Sequence, residues 1–129
     1  MRKEWIICII VIFIVIITNI ITQNYTNKSV ETMDIKLGAL KEKLTQEEVE
    51  KQEIQKEMKQ IMEHWEKRYE TLAYYIEHDE LEKVETELTS LQANIEVEQY
   101  EESVPDLEKS IFILNHIKEK FKLNVKNIF

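Results

Sequence analysis

Ile6 to Ile17 is twelve apolar residues without a break. A helix that is apolar on every side needs an apolar surrounding on every side, which a small soluble domain cannot supply. Ile20 and Ile21 carry the run past Thr18 and Asn19, so Trp5 to Ile21 counts 17 residues. At ~1.5 Å per residue that is roughly 26 Å, the short end of a membrane-spanning helix. Trp5 on one side and Tyr25 on the other suit the headgroup level. A cleaved signal peptide would need small residues after the run. Thr18-Asn19-Ile20-Ile21-Thr22-Gln23 supplies none, so the segment reads as an uncleaved anchor. Arg2 and Lys3 precede it, and the next base after it is Lys28. The positive-inside tendency then leaves residues 1–4 as a cytoplasmic tip, residues 5–22 as the transmembrane helix, and the rest outside the cytoplasm.

Gly38 and Pro105 are each alone of their kind, and Glu, Lys, Leu, Ile and Gln dominate. Tight turns need glycine or proline for their special φ values, whereas these straight-chain residues favour helix. The expected fold is all-α. Cys8, in the apolar run, is the lone cysteine. It excludes an intrachain disulfide and a Cys-based zinc site, and reads as a small apolar filler. Net charge is −8, and Glu77 to Glu108 holds twelve acids against Lys83 alone. Lys109 to Phe129 reverses the sign, with five lysines against Glu119. So acidic a surface repels phosphate backbones, which argues against nucleic-acid binding.

From Val30 a heptad runs in one register to Tyr75. Its a positions are Val30, Leu37, Leu44, Lys51, Met58, Trp65 and Leu72; its d positions are Met33, Leu40, Glu47, Ile54, Ile61, Arg68 and Tyr75. The flanking e positions change character along the way. Asp34, Lys41, Glu48 and Gln55 are polar, then Met62, Tyr69 and Ile76 are apolar. A narrow seam suits a two-stranded coiled coil, and a wider face suits a globular bundle. The pattern therefore predicts a juxtamembrane linker and helical stalk over 23–57, with Ser29 as N-cap. An acidic three-helix bundle follows over 58–129. Glu47 and Lys51 interrupt the seam in the favourable i,i+4 order.

Leu81, Val84, Leu88, Leu91 and Ile95 mark the second bundle helix, with Asp79 as its expected N-cap. Val104, Leu107, Ile111, Leu114 and Ile117 mark the third. That third helix begins either at Ser103, with Pro105 in its first turn, or near Gln99. The short connection makes the pair antiparallel. Phe121-Lys122-Leu123-Asn124-Val125 alternates like a strand, so an extended tail lying along the bundle is expected.

Antiparallel pairing brings His116 back towards His78, Asp79 and Glu80. Two histidines and two carboxylates are a conceivable transition-metal set. Capping and polar contacts at a helix junction account for the same residues without a metal, and no cofactor is expected. Trp65 and Tyr69 read as core aromatics. The segment beyond the anchor has no cysteine, and its serines fall at caps or on helix surfaces. Gly38 stands outside any phosphate-binding loop. No catalytic residue is assigned and an enzyme is not expected. Asn24-Tyr25-Thr26 and Asn27-Lys28-Ser29 fit the N-glycosylation pattern, which matters only in a eukaryotic secretory pathway.

Trp65, the stretch Tyr75-Ile76-Glu77-His78-Asp79-Glu80-Leu81, Asn115-His116-Ile117 and the closing Asn127-Ile128-Phe129 carry a family resemblance. Over about 60–129, plus the anchor, the chain resembles a family of small membrane-anchored proteins of Gram-positive Firmicutes, grouped only as a domain of unknown function. The resemblance implies a place on the outer face of the cytoplasmic membrane and brings no activity or site residues. The resulting expectation is a membrane-tethered, extracytoplasmic helical interaction module. The lipid bilayer would hold its N-terminal helix, and the stalk would engage a protein partner or a second copy. The alternatives are a sensor that binds a metal or small ligand, and a bitopic structural protein of the division or sporulation machinery.

Overall fold

The computed structural model describes residues 1–128, with side chains as far as Lys122. The described residues form four helices: α1 Arg2–Leu44, α2 Lys51–Leu72, α3 His78–Glu96 and α4 Tyr100–Ile128. The all-α fold expected from the composition is present. Its arrangement is an up-down-up-down four-helix bundle in which α1 packs on α2 and α4, and α3 on α4 and, more thinly, on α2.

The structure parts from the expected stalk at two places. First, α1 runs without a break from the apolar segment into the bundle, so Ser29 lies inside a helix and donates its hydroxyl to the Tyr25 carbonyl at 2.7 Å. Second, the heptad is cut at Thr45–Glu50, where the chain turns back. Thr45 closes α1: its N–H bonds to the Lys41 carbonyl at 3.1 Å, and its hydroxyl to the same oxygen at 3.0 Å. Physically, the fold breaks the helix where breaking costs least. Glu47 and Lys51 already leave the seam without apolar contacts, so a turn there surrenders no buried side chain. The two halves of the heptad then bury their seams against each other and against α4, which a free stalk cannot do.

The proximal half of the heptad is consequently core. Met33, Leu37 and Leu40 are wholly buried, Val30 and Leu44 nearly so. They meet Ile54, Met58, Ile61 and Trp65 from α2 and the Leu81–Ile95 and Leu107–Ile117 stripes of α3 and α4. In the folded bundle the apolar residues of that seam are already covered by the other helices. Two of the polar e positions, Asp34 and Lys41, contact α4. Asp34 accepts a hydrogen bond from Asn115 at 2.9 Å, and Lys41 pairs with Glu108.

Trp65 and Tyr69 pack edge to face with centroids 6.0 Å apart, and Trp65 is buried as expected. The start of α3 differs. Helix begins at His78 after Glu77, no side chain caps it, and Asp79 lies in the first turn, where its charge still favours the helix dipole. α4 begins at Tyr100 and passes through Pro105, the second of the two starts open to the sequence. α3 ends in a Schellman turn: the Gln99 N–H bonds to the Asn94 carbonyl at 2.8 Å, and Glu98 takes φ 61°.

The expected extended tail is helical instead, since α4 continues through Ile128. Lys, Leu and Phe propagate a preformed helix at little cost, whereas a lone extended segment leaves its backbone groups without partners. The groove contacts expected of Leu123, Val125 and residues 127–129 lie outside the described side chains.

Candidate functional site

The four residues singled out in the sequence stand around the junction of α2, α3 and α4 without forming one ligand set. Among the described residues, no group of three or more His, Cys, Asp or Glu side chains is placed to hold a metal ion. His78 turns towards α2 and lies against the Tyr69 ring, centroids 6.1 Å apart. Asp79 faces a shallow surface groove with Glu82, Lys83 and Ile113. Glu80 points inward, and His116 is near enough to act on its charge.

Glu80 is the centre of what the structure does assemble. It is 8% exposed, and its Oε1 accepts a hydrogen bond from the Lys120 ammonium at 3.2 Å. Lys83 stands 3.8 Å from the same oxygen, and Lys120 is also 3.6 Å from Glu77. Burial pushes the Glu80 carboxyl up, but Lys120, Lys83 and His116 together outweigh it and hold its pKa below the ordinary carboxylate range. Lys120 is correspondingly raised by its hydrogen bond to Glu80. Glu80 Oε2 is buried without a partner. Tyr75, Ile76, Ile117 and Phe121 complete the wall of a cavity of about 130 Å³ around this pair. The Tyr75 and Phe121 rings are tilted on one another at 5.2 Å.

Tyr75 ties this corner to α1. Its hydroxyl lies 2.8 Å from the Thr26 hydroxyl and donates to the Thr22 carbonyl at 3.3 Å. On the neighbouring side the Arg68 guanidinium sits 4.7 Å from the centre of the Tyr25 ring, a cation–π contact. Three groups of contacts therefore converge where the anchor helix enters the bundle: the Tyr75 hydroxyl, the Arg68–Tyr25 stack and the Glu80–Lys120 pair.

The periodicity placed Tyr75 at a d position but did not reveal its hydroxyl as a tie to α1, nor Lys120 and Asp106 as contact makers. Asp106 accepts from Ser90 at 2.9 Å and from Asn94 at 2.8 Å, fastening α3 to α4. Ser90 and Asn94 are spaced i,i+4, which aligns two donors on one helix face and is the only trace in sequence of this clamp.

Among the described residues one helix, α1, is long and apolar enough to cross a membrane, and its apolar part lies outside the bundle. No curated protein and no solved structure matches the chain. The model of a family described as a domain of unknown function (DUF4363) matches residues 20–128, starting at the end of the apolar run and covering the whole bundle. The chain belongs to that family.

Proposed function

We propose that this protein is a non-enzymatic, single-pass membrane protein whose bundle is an interaction module held against the outer face of the membrane. The observation that carries the reading is the continuity of α1. A single helix of 43 residues joins the apolar segment to the core of the bundle, so that the bundle follows every tilt and rotation of its anchor. Arg2 and Lys3 ahead of the apolar run favour an N-terminus in the cytoplasm.

The surface offered to a partner is the end remote from the anchor. Both turns there, Thr45–Glu50 and Val97–Gln99, are rich in exposed acids: Glu47, Glu48 and Glu50 on one, Glu98 with Glu96 and Glu101 beside the other. Charge of one sign on a compact end steers association with a basic surface and accelerates encounter at low ionic strength. The partner is therefore a protein with a basic face.

Cross-linking of the full chain in membranes, through a photo-reactive group at Glu48, tests the reading. Covalent capture of a specific protein, lost when Glu47, Glu48 and Glu50 are changed to Gln, is the expected result. Recovery of uncross-linked monomer alone would sink it. Orientation is checked separately with a Cys8→Ser, Glu48→Cys variant. A membrane-impermeant maleimide added to intact cells should label it, and labelling only after lysis would reverse the topology.

A further inference from the structure

We propose that the turn between α2 and α3, residues 73–77, rests in the phospholipid headgroup layer beside the anchor, with Tyr74 as its point of insertion. This rests on reading α1 as a membrane span, and adds to it a second, peripheral attachment of the same bundle.

Height along α1 is the first argument. Ile21 is the last residue of the apolar run, and Thr26 lies five residues beyond it. That spacing is a rise of ~7.5 Å, against roughly 5–8 Å for the interfacial layer of one leaflet. The Tyr75 hydroxyl reaches both Thr26 and the Thr22 carbonyl. The turn that carries Tyr75 is therefore pinned at the height of the headgroups, not above them.

What the turn presents at that height is the second argument. Tyr74 is 90% exposed, whereas Leu72 is buried and Tyr75 and Ile76 pack on the core. A tyrosine turned outward in water leaves an apolar ring hydrated. In the interfacial layer the same ring is buried among glycerol and upper-chain carbons, while its hydroxyl stays wet. Tyr25 lies at this level too, and Arg68 stacked on it puts a guanidinium where lipid phosphates are found.

Charge distribution is the third. Lys28 and Lys122 are exposed near the anchor, and Arg68 and Lys120 join them there. Exposed Glu70, Glu77 and Asp79 lie at this end as well, Glu77 paired with Lys120, whereas at the opposite end the exposed acids Glu47, Glu48 and Glu50 cluster on one turn. Anionic lipid would repel that far end and accept this one. With α1 alone the bundle would tilt with its anchor as one body; with the turn seated, that tilt is fixed relative to the membrane plane.

Depth-dependent quenching by brominated lipids tests this on the full chain in phosphatidylethanolamine/phosphatidylglycerol vesicles. The parent is Trp5→Phe, in which Trp65 stays buried in the core as a constant background. Three variants each add one tryptophan to it: Tyr74→Trp, Val97→Trp in the remote turn, and Phe13→Trp in the apolar run. Phe13→Trp should be quenched most by bromine near the chain ends. Tyr74→Trp should be quenched severalfold more than Val97→Trp, and most by bromine nearest the glycerol. If Tyr74→Trp is as unquenched as Val97→Trp while Phe13→Trp is quenched, the proposal is overturned and the span stands. If Phe13→Trp is not quenched, the span reading fails and the seating of the turn fails with it.

Discussion

Single residues show where this fold carries unused stability and where it carries strain. Gly38 lies in the middle of α1, and a methyl group built there meets nothing within 4 Å. Gly38→Ala should therefore stabilise the bundle by about 1 kcal/mol, the helix-propensity difference, read as a higher urea midpoint at unchanged slope. Glu98 holds φ 61°, a conformation that costs a side chain roughly 1–2 kcal/mol and a glycine almost nothing. Against that stands its ion pair with Lys51 at 3.0 Å, half exposed on both sides and therefore screened by solvent. Glu98→Gly should then be neutral to stabilising, and a clear fall in melting temperature would show that the ion pair outweighs the strain.

His64 gives a pH dependence with a definite sign. Burial, and then Arg68, Lys36 and Lys67, hold its imidazole below the ordinary value. The unfolded chain binds a proton near the free value of ~6.5, and the folded chain resists it. Stability is thus lost as pH falls below ~6.5 and continues to fall until the folded imidazole titrates. The loss of denaturation midpoint between pH 7.5 and 5.5 should shrink in His64→Gln. An unchanged pH slope would mean that the imidazole is as free in the fold as out of it.

Among the elements, α1 has two solvents. Up to Ile21 its side chains stand free of the bundle, and from Thr26 onward one face is core. The sequence shows this change as the passage from an unbroken apolar run to a seam spaced by three and four. Leu37 is wholly buried in that seam. Leu37→Ala should destabilise the whole bundle by about 2–5 kcal/mol, the range for a large core deletion. Probes on α3 and α4 should report it as fully as probes on α1; a separate stalk would melt without disturbing them. Asp106 fastens the pair α3–α4 by accepting from Ser90 and Asn94. Asp106→Ala should cost about 1–2 kcal/mol, and Asp106→Asn, which keeps one acceptor, less.

For the whole molecule, the weakest seam lies between α2 and α3, whereas α4 packs broadly on both α1 and α3. An element with a thin contact on one side opens at lower free energy than one packed on both. Amide exchange should consequently be faster in α2 than in the middle of α3 and α4, at equal pH and temperature. Uniform protection across the four helices would mean that the bundle opens only as one unit. The same asymmetry leaves the pole nearest the anchor tied by Tyr75, Arg68 and Lys120, and the acidic pole held chiefly by two short turns.

By itself the sequence determined the apolar segment, the helical class, and the identity of almost every core residue. Each of these follows from local composition and from spacing along one helix. The pairing of helices is another matter. A heptad from Val30 to Tyr75 satisfies a straight stalk and a folded hairpin equally well, because both bury the same seam. The tertiary structure decided for the hairpin: α4 offers partners to Asp34 and Lys41, and the polar stretch around Glu47 makes the bend inexpensive. It also decided the fate of the histidine and carboxylate cluster. Helical phase turned His78 to Tyr69 and Glu80 to Lys120, and rotation about a helix axis at a junction is set by packing across elements, not by spacing within one.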